Sequence, residues 1–118
     1  MVDSTAKFSH PPGSHVAVLL ALPLPTAYDY RVPGQMVLSD GDFVRVPFGR
    51  RQVNGVVWGA GQHNIDESKI RDVEECLSTP PMSKVLRSFV EWVATYTFSF
   101  PGAVLKMTLP APFFPFTS

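Results

Sequence analysis

The chain has 118 residues, 45% of them hydrophobic and 17% charged. That suits one folded domain with one core, and it excludes both a disordered chain and a multi-domain machine such as a helicase motor or a polymerase. Ten Lys and Arg balance ten Asp and Glu, so a basic coat over the whole surface is excluded and a polyanion is left only a local basic patch.

Residues 1–14 contain Asp3, Lys7, His10, Pro11, Pro12 and Gly13 and no apolar targeting core, so they predict a disordered polar arm. The longest apolar stretch, Val16 to Leu22, is far shorter than the ~20 residues of a membrane span. Val16 to Leu20 predicts a short strand, ended by Pro23 and Pro25. Tyr28 to Val32 alternates with period two and predicts a half-buried strand before the turn signal Pro33-Gly34. A second turn, Asp40-Gly41-Asp42, opens the alternating strand Phe43 to Val46, which Pro47-Phe48-Gly49 should break. Val53 to Trp58 predicts another strand, with Gly55 inside it marking a bulge or a close approach. Gly59 to Ser68 reads as a polar loop. Lys69 to Leu77 fits either helix or strand, and a strand would help close a small sheet.

The clearest helix follows. Ser83 is a good N-cap, and Val85, Leu86, Phe89, Val90, Trp92, Val93 and Tyr96 recur near helical spacing, a stripe expected to bury against the sheet. Pro101 to Leu109 predicts a short second helix with proline in its first turn. Residues 111–118, with Phe113, Phe114 and Phe116 among prolines, read as a linker stub. The fold class is therefore α+β, mainly β: a small, partly open, barrel-like sheet over 15–110, capped by one amphipathic helix and a short second one. Small β domains of this sort often bind oligonucleotides.

Catalytic chemistry is not indicated. His10, His15 and His63 are dispersed, and no phosphate-binding glycine loop is present. The adjacent pairs Asp66-Glu67 and Glu74-Glu75 would point to opposite faces of a strand. Cys76 is the single cysteine, so no internal disulfide and no zinc site of the usual kind can form, which fits a reducing cytosol. Taken by residue type, Tyr28 and Tyr30 are strand aromatics on one face with Asp29 on the other. Asp29 and Gly49 fit turn-bonding and turn roles, and Arg50-Arg51 a solvated hairpin tip.

A resemblance covers His15 to Pro110. Leu22-Pro23-Leu24-Pro25, Tyr28-Asp29-Tyr30, Gly41 to Gly49 with its run Val44-Arg45-Val46-Pro47-Phe48-Gly49, and Gly55-Val56-Val57 resemble the start of the primosomal protein N′ (PriA) family of replication-restart helicases. Phe89 to Tyr96, Pro101 to Leu105 and Leu109-Pro110 resemble the helical end of the same domain. The resemblance implies a 3′-terminus DNA-binding domain. Such a domain docks the end of a nascent leading strand at a stalled fork without base preference. The family's aromatic–Asp–Tyr motif falls on Tyr28, Asp29 and Tyr30, with Tyr28 standing where the family more often has Phe. Gly49 matches the glycine that lets the backbone approach the base, and Arg71 falls where the family often has a lysine in the pocket. Arg45, Arg50 and Arg51 are expected to contact phosphates, which positions a strand without reading sequence.

The chain itself is expected to be no enzyme and to hold no cofactor. The ATP, Mg2+ and Zn2+ of the helicase belong to other domains of the parent protein. The implied partners are the single-stranded DNA 3′ end, those other helicase domains and further primosome proteins, in the cytoplasm and with no membrane. The alternative is a protein-interaction module in which Phe113–Phe116 is a docking segment.

Overall fold

Seven strands precede two helices over the residues that the computed structural model describes, 9–62 and 66–108. The strands are β1 (Ser9–His10), β2 (His15–Leu20), β3 (Tyr28–Arg31), β4 (Leu38–Ser39), β5 (Phe43–Phe48), β6 (Arg51–Ala60) and β7 (Glu75–Cys76). A 3-10 turn, Glu67–Lys69, precedes β7, and the helices α1 (Lys84–Thr97) and α2 (Pro101–Thr108) follow it. Residues 1–8 of the expected arm, His63 in the polar loop, Leu109 and Pro110, and the stub 111–118 with Phe113–Phe116 lie outside the described residues.

Five strands form one antiparallel sheet in the order β3-β2-β6-β5-β7. The α+β class holds, and the sheet is open rather than a closed barrel. Its two edges are nevertheless stitched together. The Arg31 N–H donates to Arg71 O at 2.8 Å, and the Val73 N–H donates to Arg31 O at 3.0 Å. These bonds make a single parallel bridge from Arg31 to Asp72, just before the chain enters β7 on the far edge. The ambiguous segment 69–77 thus combines a 3-10 turn, this bridge and a two-residue strand.

Several expectations need correction. Residues 9–14 are not a free arm: Ser9 and His10 pair with Ser39 and Leu38, and His10 Nε2 lies 2.7 Å from Asp40 Oδ1. The Gly13 N–H further donates to Val32 O. Pro47 does not break β5, which continues to Phe48. Proline is tolerated there because β7 pairs only with Val44 and Arg45, so β5 has an open side at Pro47. The register shift between β2 and β6 falls between Ala17 and Val18, opposite Gly59 and Val57, so of the two roles expected of Gly55 it is the close approach that holds: a Cβ there would lie 2.8 Å from Leu19 O.

Strand alternation makes the sheet apolar on both faces. Val16, Val18 and Leu20 point to one side, where Tyr30, Leu38, Val46 and Val73 complete a core. Leu19 and Ala21 point to the other, where Val90 and Ala94 of α1 meet Val104 and Leu105 of α2. Ser83 caps α1 as expected, its Oγ accepting from the Leu86 N–H at 3.1 Å. The expected burial of the α1 stripe is overturned. Only Val90 and Ala94 are buried on this helix, while Val85, Phe89, Trp92 and Tyr96 are at least half exposed. The sheet face is shared with α2, so it accepts one side of α1 and leaves the aromatic side uncovered.

Candidate functional site

Three pieces of chain converge at the open side of β3: the strand itself, the β5–β6 hairpin and the segment after the 3-10 turn. Between them lies a pocket of ≈ 160 Å³ lined by Tyr28, Asp29, Tyr30, Pro47, Phe48, Gly49, Lys69 and Arg71. Cavities of roughly 150 Å³ hold a benzene ring, so the space fits one flat ring and not a stretch of polymer. Being at the sheet edge explains how three consecutive residues of one strand reach it. Arg31 turns its N–H and C=O outward, to Arg71 and Val73. Two residues earlier, strand periodicity turns the main chain of Asp29 the same way.

Tyr30 is a wall of this pocket and also a member of the core. It is 4% exposed, and its hydroxyl donates to Pro47 O at 2.8 Å. Burial pushes its phenol up from 10.0 to about 12, against the lowering effect of the Arg71 charge. Tyr30 therefore stays a neutral donor at any physiological pH. Tyr28, half-buried, shares its face as parity requires, since Tyr28 pairs with Val18 and Tyr30 with Val16. The Tyr28 ring meets Phe48 edge to face, with centroids 5.6 Å apart and planes at 87°.

Asp29 sits opposite Ala17 and is 5% exposed, the only buried charged residue among those described. Its Oδ1 accepts from the Gln62 N–H at 3.0 Å. Such a bond to an ionised carboxylate is stronger than one between neutral groups. Gly49 is the first of two residues joining β5 to β6, with φ +62, the conformation that a tight hairpin of the type II′ kind needs at that place. A methyl group there would meet no protein atom within 4 Å, so the turn, and not crowding, requires glycine. The Gly49 carbonyl accepts from Arg71 Nη1 at 3.2 Å, which ties the hairpin tip to the opposite wall.

The structure thus brings together five of the residues named from sequence: Tyr28, Asp29, Tyr30, Gly49 and Arg71. Arg50 and Arg51 are exposed at the hairpin tip beside Gly49 but do not line the pocket. Arg45 stands apart from them. It lies three residues before the end of β5, opposite Asn54, and its guanidinium is paired with the carboxylate of Glu75 on β7. Lys69, Pro47 and Phe48 were not singled out. Lys69 comes two residues before Arg71, and that nearness of two cations was the available signal. Among the described residues no group of three or more His, Cys, Asp or Glu could hold a metal ion. No helix among them is long and apolar enough to cross a membrane.

The sequence profile of the 3′ DNA-binding domain (3′BD) of PriA matches residues 17–110. The chain is 36% identical over 85 residues to the replication restart protein PriA of Rickettsia felis, an alignment covering 70% of this chain and 13% of the relative. It is 33% identical over 97 residues to that of Haemophilus influenzae, covering 80% of this chain and 13% of the relative. To that of Synechocystis sp. it is 30% identical over 98 residues, covering 80% of this chain and 12% of the relative. The chain therefore spans about an eighth of the length of the relatives it matches.

Proposed function

The chain belongs to the 3′ DNA-binding domain family of the replication restart protein PriA, and on that premise we propose that it captures the 3′-hydroxyl end of a DNA strand. It matches the binding domain alone, a non-catalytic part of a restart helicase, so its mechanism is capture. In this reading the strand is the nascent leading strand of a stalled fork, in the cytoplasm, and the base is not read. Other domains of the helicase and further primosome proteins are its partners, and the ATP, Mg2+ and Zn2+ of the helicase act outside this chain.

The observation that carries the reading is the convergence of Tyr28, Asp29, Tyr30, Gly49 and Arg71 on one ring-sized pocket. A strand end differs from an internal nucleotide by a free hydroxyl, which is a donor. The Asp29 carboxylate accepts only, so it suits that hydroxyl. An internal phosphodiester would bring negative charge beside the carboxylate and be repelled. Tyr28 and Phe48 offer aromatic surface to a base, and stacking contributes about 1–3 kcal/mol per base whatever its identity. Lys69 and Arg71 at the pocket, with Arg50 and Arg51 beside it, suit the adjoining phosphates. Arg45, already paired with Glu75, contributes less to them.

Fluorescence anisotropy of a 5′-labelled single strand ending in a 3′-hydroxyl or a 3′-phosphate tests this. The hydroxyl strand is expected to bind better, and Asp29→Ala to erase the difference. Arg50→Ala with Arg51→Ala should weaken both strands equally and flatten the salt dependence by about 0.7 in log–log slope per lost phosphate contact. Equal binding of the two strands by the unaltered chain would leave a generic electrostatic binder and end the 3′-end reading.

The uncovered side of α1 supports contact with a further partner. Val85, Phe89, Trp92 and Tyr96, spaced four, three and four residues apart, form one exposed apolar stripe, and Trp92 stacks on Tyr96 at 5.1 Å. Relatives of which only 12–13% is matched have most of their length beyond this domain. The occupant proposed for the stripe is another part of the same restart protein.

A further inference from the structure

We infer that the two residues following β6 are a positioning device for the hydroxyl sensor: the main-chain N–H of Gln62 fixes where the Asp29 carboxylate sits, and so sets how well the pocket tells a strand end from an internal nucleotide. This rests on the reading of Asp29 as the group that meets the 3′-hydroxyl. Two successive amides do the holding. The Gly61 N–H donates to His15 O at 2.9 Å, which pins the chain to β2. The next N–H, that of Gln62, donates to Asp29 Oδ1 at 3.0 Å. Asp29 belongs to β3, which pairs with β2 through Ala17. The carboxylate is therefore held over β2, the strand with which its own strand β3 pairs.

The placement matters because the sensor works by geometry. A carboxylate with freedom about its side-chain torsions would trade hydroxyl contact for water or for a nearby cation, and Arg71 and Lys69 both line the pocket. An oriented acceptor costs no reorganisation when the ligand arrives. Space behind the group is also restricted: a Cβ on Gly61 would come within 3.1 Å of Asp29 Oδ2 and 2.6 Å of His15 Cβ. This bond is made by the main-chain amide of Gln62, not by its side chain.

The test separates amide from side chain. Gln62→Pro removes the N–H, and Gln62→Ala keeps it. In the same anisotropy assay Gln62→Ala is expected to keep the preference for a 3′-hydroxyl over a 3′-phosphate. Gln62→Pro is expected to lower it by roughly tenfold or more, the scale of losing one bond to a charged acceptor. Affinity for the 3′-phosphate strand should stay unchanged, a pattern that a general loss of structure would not give. Preference retained in Gln62→Pro, while Asp29→Ala loses it, would overturn the positioning role and leave the sensor standing. Absence of preference in the unaltered chain would instead remove the sensor itself. Should Gln62→Pro fail to fold, amide hydrogen exchange decides: Asp29→Ala is expected to speed exchange at Gln62 by roughly tenfold, and an unchanged rate would refute the contact.

Discussion

Tyr30 joins two tasks in one side chain, because its ring fills the core while its hydroxyl holds Pro47 O and faces the pocket. Removing the oxygen, as in Tyr30→Phe, leaves a buried carbonyl without its donor and should cost about 1–3 kcal/mol of stability by urea unfolding. The same residue sets an alkaline limit. An unfolded tyrosine loses its proton near 10, whereas folded Tyr30 holds its proton to about 12. Its contribution is therefore complete below pH 10 and is lost as pH rises from 10 to 12. Unfolding midpoints measured across that window should fall, and Tyr30→Phe should flatten the fall. At this scale the site was largely legible, since Tyr28-Asp29-Tyr30 and Pro47-Phe48-Gly49 are contiguous strings that travel with one strand and one hairpin. The pairing of Arg45 with Glu75 was not legible, because that partner is thirty residues away and meets it only through the β5–β7 register. For Lys69 the one local signal is its nearness to Arg71, and that does not say which wall of a pocket a turn residue joins.

The helices show where local signals stop. The start of α1 was readable from Ser83, whose hydroxyl does what a cap does. Its end was not, because the left-handed closing residue is Phe98 at φ 57, a place normally taken by glycine. The chain turns there, and α2 returns to pack against β2. Gly102 allows that approach: a Cβ would lie 2.0 Å from Leu22 O and 2.4 Å from Leu20 O. Both are backbone atoms that cannot step aside without moving β2. Gly102→Ala should therefore lower stability by roughly 2–4 kcal/mol in urea unfolding, despite the better helix propensity of alanine. A change of under 0.5 kcal/mol would mean that α2 shifts freely over the sheet. The apolar stripe of α1 was visible in its spacing, but how much of it the sheet covers depends on α2, a tertiary fact.

Across the whole molecule, two cores on opposite faces of one sheet leave a third apolar surface outside. Neighbouring residues of α1 should then behave oppositely. Phe89→Gln, at an exposed site, is expected to leave stability within about 0.5 kcal/mol. Val90→Ala, fully buried one residue later, should cost about 2 kcal/mol by the same chemical unfolding. Equal losses would mean that the aromatic stripe is covered in the free chain. The sheet order itself was beyond the sequence, since β2 pairs with β6 some forty residues on and no local pattern records that partner. The stitch from Arg31 to Asp72 has one more consequence. The pocket straddles the seam of an unclosed sheet, with β3 on one lip and the Lys69–Arg71 segment on the other. Under the proposed function, a nucleotide lodged there would act as a clasp across that seam, and cargo and closure would become one event.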